Sequence, residues 1–597
     1  MQKNLENKKN SCTFAPNFKV KGNNNNSSNK NMCMKKKFSS VLTMATMAVV
    51  GFSSCASLKP LASENIEAKP QPLELVGGKV PATINVTFPA KWFIKNATVE
   101  VTPVLRYEGG EAAGTPYTFQ GESVTGNGKV ISQNGGNEVL SASFDYVPAM
   151  QKSDLYLTFN AKKGSKPVAL PDIKIGDGVL SLAALANAKS ETPAIAADKF
   201  LREQTAAHDA DLLFAIQQAE LRASELKKAG LADWNKTVKS AEAAPNQSVD
   251  IEISAYASPD GGYKLNETLA ARREGNTKKY VTAELKKNKV KAPVNAKYTA
   301  QDWEGFKQLV EKSNLQDKDL ILRVLSMYSD TEQREREIKN ISTIYSTLAD
   351  EILPQLRRSR LTANVKTIGK TDAEISSLAA SNPSALNVEE LLYAATLKST
   401  PAEKATIYKK VVELFPNEAR GYNNLGVAEY SQGNVAAAEA QFKKAANINS
   451  SLPEVNLNLG YVALVNGNRA QADQYISKAS GAKGLGNAQG LLAILDGNYA
   501  KATQSYGSTT SNNAAVAQIL AKDYSKASTT LNAVAKPDAT TDYLKAVVGA
   551  RTNTVNQVTT NLKSAVAKDS SLANKAFNDP EFAKYLKDAG FLQAIGK

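Results

Sequence analysis

Imidazole and thiol groups, on which many catalytic and metal sites depend, are scarce in this sequence. Its 597 residues include one histidine, His208, and three cysteines. General-base catalysis and transition-metal binding both rely on imidazole, and His208 lies in the polar stretch 205–211, where a solvated side chain is expected. The sequence shows no phosphate-binding glycine-rich loop, cysteine-pair motif or HExxH motif. It therefore predicts a protein without catalytic residues, bound metal or cofactor.

Cys55 is the cysteine whose surroundings indicate a chemical role. Three lysines follow Met34, the largely apolar run 41–52 comes next, and Ser53 and Ser54 stand directly before Cys55. This is the order of charged region, apolar region and cleavage site in a secretory signal peptide. The apolar run is too short to span a bilayer, which needs about twenty residues.

The sequence from Phe52 to Cys55 resembles the lipobox of Bacteroides-group outer-membrane lipoproteins, in which the cysteine is lipidated and becomes the first mature residue. The resemblance implies a lipid anchor at Cys55 in the outer membrane. Surface-exported lipoproteins of this group tend to carry acidic residues after the cysteine, and residues 56–62 contain no acidic pair, so the resemblance implies the periplasmic face. Because Cys12 and Cys33 lie in the leader, the mature chain is expected to have no disulfide framework.

The positive charge of the chain is concentrated in that leader. Residues 1–54 contain nine lysines and one glutamate, hence +8 of the formal net charge of +15. The remaining charge is spread over the chain, without a basic stripe interleaved with aromatic residues. We therefore expect no nucleic-acid partner.

Residues 251–285 predict a strand, a turn at Pro259-Asp-Gly261 and a helix with basic residues in its first turns. This segment resembles the OmpA-like peptidoglycan-associated module. The positions that match the family motif are Gly261, Asn266, Leu269 and Arg273.

In that family, an aspartate of the turn and an arginine of the helix bind the charged ends of diaminopimelate. The resemblance makes Arg273 the arginine, but Ser258 occupies the aspartate position, and the acidic residue of this turn is Asp260. A serine cannot neutralise an ammonium group as a carboxylate does. Two alternatives remain open: Asp260 replaces the aspartate and the module binds peptidoglycan with Asn266 and Arg273, or the ligand site has been lost.

Beyond residue 385 the sequence repeats itself. Leu425-Gly426 recurs 34 residues later as Leu459-Gly460, and Phe442 recurs as Ile476. This period and this pattern of small and large residues resemble tetratricopeptide (TPR) repeats, whose stacked helices present a concave surface to partners. The residues expected on that surface are Arg420, Asn423, Asn424 and Asn458.

These signals predict a multidomain chain with an N-terminal antiparallel β-sandwich-like domain, an α+β OmpA-like module and a C-terminal all-α TPR solenoid. Period-two alternation, as in residues 83–88, indicates the strands. The expected bounds are leader and signal peptide 1–54, linker 55–74, β-domain 75–165, linker with a short helix 166–200, OmpA-like module with a helical insertion 201–368, and TPR-like repeats 385–597.

The predicted function is that of a non-enzymatic envelope lipoprotein, a scaffold or adaptor. It would bind envelope proteins through the TPR array and, if its turn still holds the ligand, peptidoglycan through the OmpA-like module. The alternative is a surface-exposed accessory lipoprotein of a secretion or fimbrial assembly system. A hydrolase within the β-domain is disfavoured because the chain has no usable histidine.

Overall fold

The computed structural model describes residues 58–315 and 317–597; the side chains of residues 342–344 are not described. The leader and the predicted lipidation site, Cys55, lie outside the described residues. Within the described ranges, no helix is long and apolar enough to cross a membrane.

The N-terminal β-domain is built from strands that bury alternate residues, a pattern clearest in Lys79–Phe88. Its strands are β1 (Ile66–Lys69), β2 (Leu73–Glu74), β3 (Lys79–Phe88), β4 (Ala97–Tyr107), β5 (Gly110–Ala113), β6 (Tyr117–Gln120), β7 (Lys129–Val130), β8 (Gly136–Asp145), β9 (Ser153–Lys163), β10 (Lys166–Val168), β11 (Ile173–Asp177) and β12 (Val179–Leu180). One sheet has the order β1-β3-β8, a second has the order β10-β9-β4-β6-β7 with β11 on β9 and β5 on β4, and β12 pairs with β2 in a third. The sheets share a core in which the rings of Phe88 and Phe119 lie 5.2 Å apart.

The bounds of this domain differ from the prediction on both sides. The predicted linker 55–74 contains β1 and β2, and the predicted linker 166–200 contains β10, β11 and β12. These strands pair with β3, β9 and each other. They are two to five residues long, so each has too few alternating residues to show a strand pattern.

The middle module places helices on one four-stranded sheet. Its elements are β13 (Glu203–Leu213), α1 (Ala223–Leu226), α2 (Ala229–Ala243), β14 (Gln247–Tyr256), α3 (Tyr263–Lys287), β15 (Val294–Thr299), α4 (Trp303–Lys312), α5 (Lys318–Met327), α6 (Thr331–Asn340), α7 (Ser342–Glu351), α8 (Leu353–Leu356) and β16 (Arg358–Ile368). The strand order is β13-β16-β14-β15, with β16 antiparallel to both neighbours and β14 parallel to β15. Trp234 of α2 and Val281 of α3 are buried with Ile253 of the sheet.

Helices α4 to α8 form an insertion with a hydrophobic core of their own, which includes Trp303, Phe306, Ile321 and Leu353. The insertion contacts the turn that follows β14, since Lys339 Nζ donates to the carbonyl of Asp260 at 3.1 Å. The turn therefore has protein rather than open solvent on this side.

The C-terminal array consists of successive helix pairs. Its helices are α9 (Asp372–Ser381), α10 (Val388–Thr396), α11 (Pro401–Leu414), α12 (Ala419–Ser431), α13 (Val435–Ile448), α14 (Pro453–Val465), α15 (Arg469–Ile476), α16 (Leu485–Leu495), α17 (Tyr499–Tyr506), α18 (Asn512–Leu520), α19 (Tyr524–Asn532), α20 (Ala539–Arg551), α21 (Val555–Lys568), α22 (Ser571–Asn578) and α23 (Ala589–Ala594). A Cβ at Gly426 would lie 2.6 Å from the Phe442 ring, and one at Gly460 would lie 2.7 Å from Ile476. Glycine thus lets the two helices of a pair pack closely.

The β-domain packs directly on this array. Buried residues of both belong to one hydrophobic core. At its margin, Tyr499 Oη donates to the carbonyl of Leu75 at 3.1 Å, and Arg469 Nη1 donates to that of Gly77 at 3.0 Å. The β-domain is therefore fixed to the array by apolar contact and by hydrogen bonds.

Candidate functional site

Arg273, the predicted peptidoglycan ligand on α3, is buried, with 1% of its surface exposed. Its Nε donates to the carbonyl of Gln218 at 2.9 Å, its Nη1 to that of Tyr256 at 2.9 Å, and its Nη2 to that of Ala215 at 3.4 Å. The guanidinium also lies over the ring of Phe214, 5.0 Å from its centroid. Arg273 is thus bonded to backbone that it helps to hold in place.

The carboxylate of Asp260 pairs with Arg357, an arginine that the sequence did not single out. Arg357 Nη2 lies 3.0 Å from Asp260 Oδ2, and Arg357 Nε donates to Ser258 Oγ at 3.3 Å. Ser258 in turn donates its hydroxyl to Asp260 Oδ1. Burial and the nearby Arg357 lower the pKa of Arg273 to about 10, against the opposing effect of Asp260. The side chains of Ser258, Asp260 and Arg357 are therefore hydrogen-bonded to one another.

Asn266 holds the turn itself, because its Nδ2 donates to the carbonyls of Ser258 and Gly261 at 3.0 and 2.7 Å. The insertion leaves a void of about 10 Å³ over this turn, lined partly by Pro259 and Trp303. Such a void holds about one water molecule. The four predicted residues are thus near one turn, but they do not line an open ligand site.

A second site lies on the array, where residues 187–199, here called the groove segment, run along the first helix of successive pairs. Asn458 of α14 accepts from the amide of Ala194 at 2.7 Å and donates to the carbonyl of the same residue at 2.8 Å. Asn424 of α12 binds both backbone groups of Ala196 in the same way, each at 2.9 Å. Each side-chain amide therefore satisfies the donor and the acceptor of one residue.

Asn423 connects these two contacts. Its Nδ2 donates to the carbonyl of Ala194 at 3.0 Å and to Asn424 Oδ1 at 3.0 Å, while its Oδ1 accepts from Asn458 at 2.9 Å. All three asparagines are at most 2% exposed. Buried side-chain amides are costly unless they are hydrogen-bonded, and here the groove segment supplies the partners.

The first part of the groove segment binds later helices of the array. Asn513 of α18 accepts from the amide of Asn187 at 3.1 Å and donates to its carbonyl at 2.8 Å. Glu191 is 6% exposed, and its Oε1 accepts from Asn513 Nδ2 at 2.7 Å and from Tyr506 Oη at 3.1 Å. Burial raises the pKa of Glu191, with partial compensation by these donors.

The other end of the groove segment meets a charged cluster. Arg420 binds both carboxylate oxygens of Glu389, at 2.7 and 3.0 Å, and also pairs with Glu418 at 2.8 Å. Glu389 accepts from the amide of Lys199 at 2.6 Å, and Arg420 donates to the carbonyl of Ala197 at 3.3 Å. Hydrogen bonds to Glu418 and Glu389 raise the pKa of Arg420. The hydrogen bond from Arg420 in turn lowers the pKa of Glu389.

The structure thus brings the four residues predicted for the partner surface onto one face and places the chain's own segment on it. The residues of these sites that sequence reasoning missed include Arg357, Glu191 and Asn513. Asn513 lies 55 residues after Asn458, outside the 34-residue period. Aligning the repeats on Gly460, Gly490 and Ala515 would have found it, since Asn458 and Asn513 both stand two residues earlier.

No protein-family model and no curated protein matches this chain. Similar solved structures include the Cut9–Hcn1 hetero-tetramer of the APC/C, with 18% identity, a TM-score of 0.30 and coverage of 36% of this chain and 45% of that one. A TPR protein from Parabacteroides merdae has 13% identity and a TM-score of 0.27 over 38% of this chain and 91% of its own. The structure of pilF from Pseudomonas aeruginosa has 14% identity and a TM-score of 0.27, and the match covers 36% of this chain and 99% of that one.

These TM-scores lie below 0.5, so the assignment of the array depends on the helix pairs themselves. Their close glycine contacts recur at the 34-residue period, which is that of TPR repeats. The chain therefore has a β-rich N-terminal region and a C-terminal TPR-like helical region.

Proposed function

We propose that this chain is a non-enzymatic, lipid-anchored scaffold of the bacterial envelope, whose TPR-like array holds proteins. The supporting observation is the set of asparagines that bind both backbone groups of single residues in an extended chain. Such contacts recognise a polypeptide main chain with little regard to side-chain identity. A face built in this way is suited to bind protein segments.

The anchor in this proposal is a lipidated Cys55, supported by the signal-like sequence before it. The outer membrane, on its periplasmic face, is the proposed location. The alternative is a surface-exposed accessory of a secretion or fimbrial assembly system. Protease treatment of intact cells distinguishes them, because only the surface-exposed protein would be cleaved without permeabilising the outer membrane.

The middle module is proposed to be OmpA-like, supported by β14, its turn and α3 with Asn266, Leu269 and Arg273 at the family spacing. Peptidoglycan is left out of the proposed ligands. The N–H groups of Arg273 donate to backbone carbonyls, and Asp260 is paired with Arg357. We therefore assign this module a structural role next to the array.

The test is cross-linking of intact cells followed by recovery of the tagged full-length chain from the envelope fraction. We expect envelope proteins to be recovered, with cross-linked peptides that map to residues 385–597. A matched strain with the Cys55→Ala variant should lose the membrane fraction of the protein. Recovery of the chain without cross-linked partners would refute the scaffold role.

A further inference from the structure

The groove segment binds the array as a peptide ligand would. Ala194 and Ala196 are buried against the array, whereas Ile195 between them is 42% exposed. Alternate residues of an extended chain point to opposite sides, so the two alanines face Asn458 and Asn424 together. A larger side chain at either alanine would meet the asparagines and their helices.

The segment and the array run in opposite directions. Asn187 binds α18, Ala194 binds α14, Ala196 binds α12, and Lys199 binds Glu389 of α10. The step of two residues from Ala194 to Ala196 matches the step of one 34-residue repeat from Asn458 to Asn424. This register fixes both the direction and the spacing of an acceptable ligand.

One side chain of the segment is also bound specifically. Glu191 enters a buried position where the neutral groups of Asn513 and Tyr506 donate to its carboxylate. Ala194, which binds Asn458, lies three residues after Glu191. The ligand pattern is therefore Glu-x-x-Ala-x-Ala in extended form, as in residues 191–196.

We propose that the first-helix face of the array is a peptide-binding site for extended segments of this pattern, and that the groove segment occupies it in cis. This inference rests on the proposed scaffold function and specifies its ligand. A partner that uses the face presents a similar segment and displaces residues 187–199. Covalent tethering gives the groove segment an effective concentration in the range of about a millimolar, so the wild-type chain excludes most free peptide.

The test uses the full-length chain and a fluorescent synthetic peptide of residues 186–200, with binding followed by anisotropy. Ala194→Arg with Ala196→Arg should remove the groove segment from the face by overfilling it and let the peptide bind at least tenfold more tightly than to the wild type. Adding Asn458→Ala to that variant should weaken peptide binding about tenfold, because the two hydrogen bonds of Asn458 to the residue at the Ala194 position are lost. Ile195→Arg is the matched control and should behave as the wild type.

Urea unfolding of each variant establishes whether the array is folded. If the double variant is unfolded, Ala196→Pro replaces it, because proline removes only the amide that Asn424 accepts from. A folded variant that fails to bind the peptide, or a wild type that binds it equally well, would overturn the proposal. Either result leaves cross-linked envelope partners unaffected, so the scaffold role is judged separately.

Discussion

Replacing Glu191 by glutamine should stabilise the protein at neutral pH and leave its stability unchanged near pH 4. Burial raises the pKa of this carboxyl above its ordinary value of 4.5. A group with a raised folded-state pKa contributes stability that is present below the unfolded pKa and is lost as the pH rises through the folded one. The ionised Glu191 therefore weakens the folded state at neutral pH.

The size of the effect follows from the contacts. An ionised buried carboxylate costs several kcal/mol, of which hydrogen bonds from Asn513 and Tyr506 return most, at about 1.5–3 kcal/mol each. A glutamine carbonyl accepts from both donors without the charge, and the gain is reduced by the hydrogen bond from Asn487, which the glutamine NH2 group does not accept. We expect a gain of roughly 1–2 kcal/mol at pH 7.5.

Urea unfolding followed by circular dichroism at pH 7.5 and pH 4.0 measures this gain. Glu389→Gln provides a control of opposite sign, because Arg420 lowers the pKa of Glu389. The stability from Glu389 is present above its unfolded pKa and is lost as the pH falls through the folded one. Glu389→Gln should therefore destabilise the protein at pH 7.5. Equal or lower stability of Glu191→Gln at pH 7.5 would refute the reasoning about the buried carboxylate.

Three further predictions concern other parts of the chain. Cys55→Ala should move the protein from washed membranes to the soluble fraction, since one lost anchor removes its attachment; quantitative sedimentation would contradict lipidation. Gly426→Leu overfills the space before Phe442 and should cost about 1–3 kcal/mol in urea unfolding, whereas Gly275→Leu, which has open space around its Cβ position, should cost far less. Arg273→Ala should lower the free energy of unfolding by roughly 3 kcal/mol, because it leaves backbone carbonyls unpaired. The closed site would be disproved if the wild type pelleted with isolated peptidoglycan and the variant, at unchanged stability, did not.

The repeat period was the most informative feature of the sequence. It predicted helix pairs and put Asn424 and Asn458 one repeat apart, because equivalent positions of a repeat occupy equivalent positions in the fold. The shorter repeats that follow hid Asn513. A comparison at a fixed period of 34 residues finds only the repeats that have this length.

The contacts of the residues predicted to bind peptidoglycan could not be predicted from spacing alone. The motif placed Arg273 on the helix after the turn, where α3 has it. Its buried guanidinium donates to the carbonyls of Ala215, Gln218 and Tyr256, none of which belongs to α3. The partner of Asp260, Arg357, is 97 residues away in sequence. Such long-range contacts leave no local pattern.

The groove segment was the largest departure from expectation, and its composition explains why. Residues 187–199 are rich in alanine, lysine and polar residues, which is typical of a linker. Their order comes from the array, whose asparagines satisfy the backbone groups that a strand partner would otherwise bind. Composition describes what a segment can do alone, whereas this segment is ordered by a surface more than two hundred residues away.

The position of the groove segment also links the three regions mechanically. It begins after β12, in a domain that shares a core with the array, and ends before β13, beside the ion pairs Arg202–Asp372 and Lys370–Glu390. An extended segment held at both ends cannot leave the array unless one end moves. The apolar contact of the β-domain is the stronger attachment, because Arg202–Asp372 is an exposed ion pair that contributes little, and Lys370–Glu390 is a single pair in which only the carboxylate is buried. If a partner displaces the groove segment as proposed, the middle module is therefore expected to shift relative to the array.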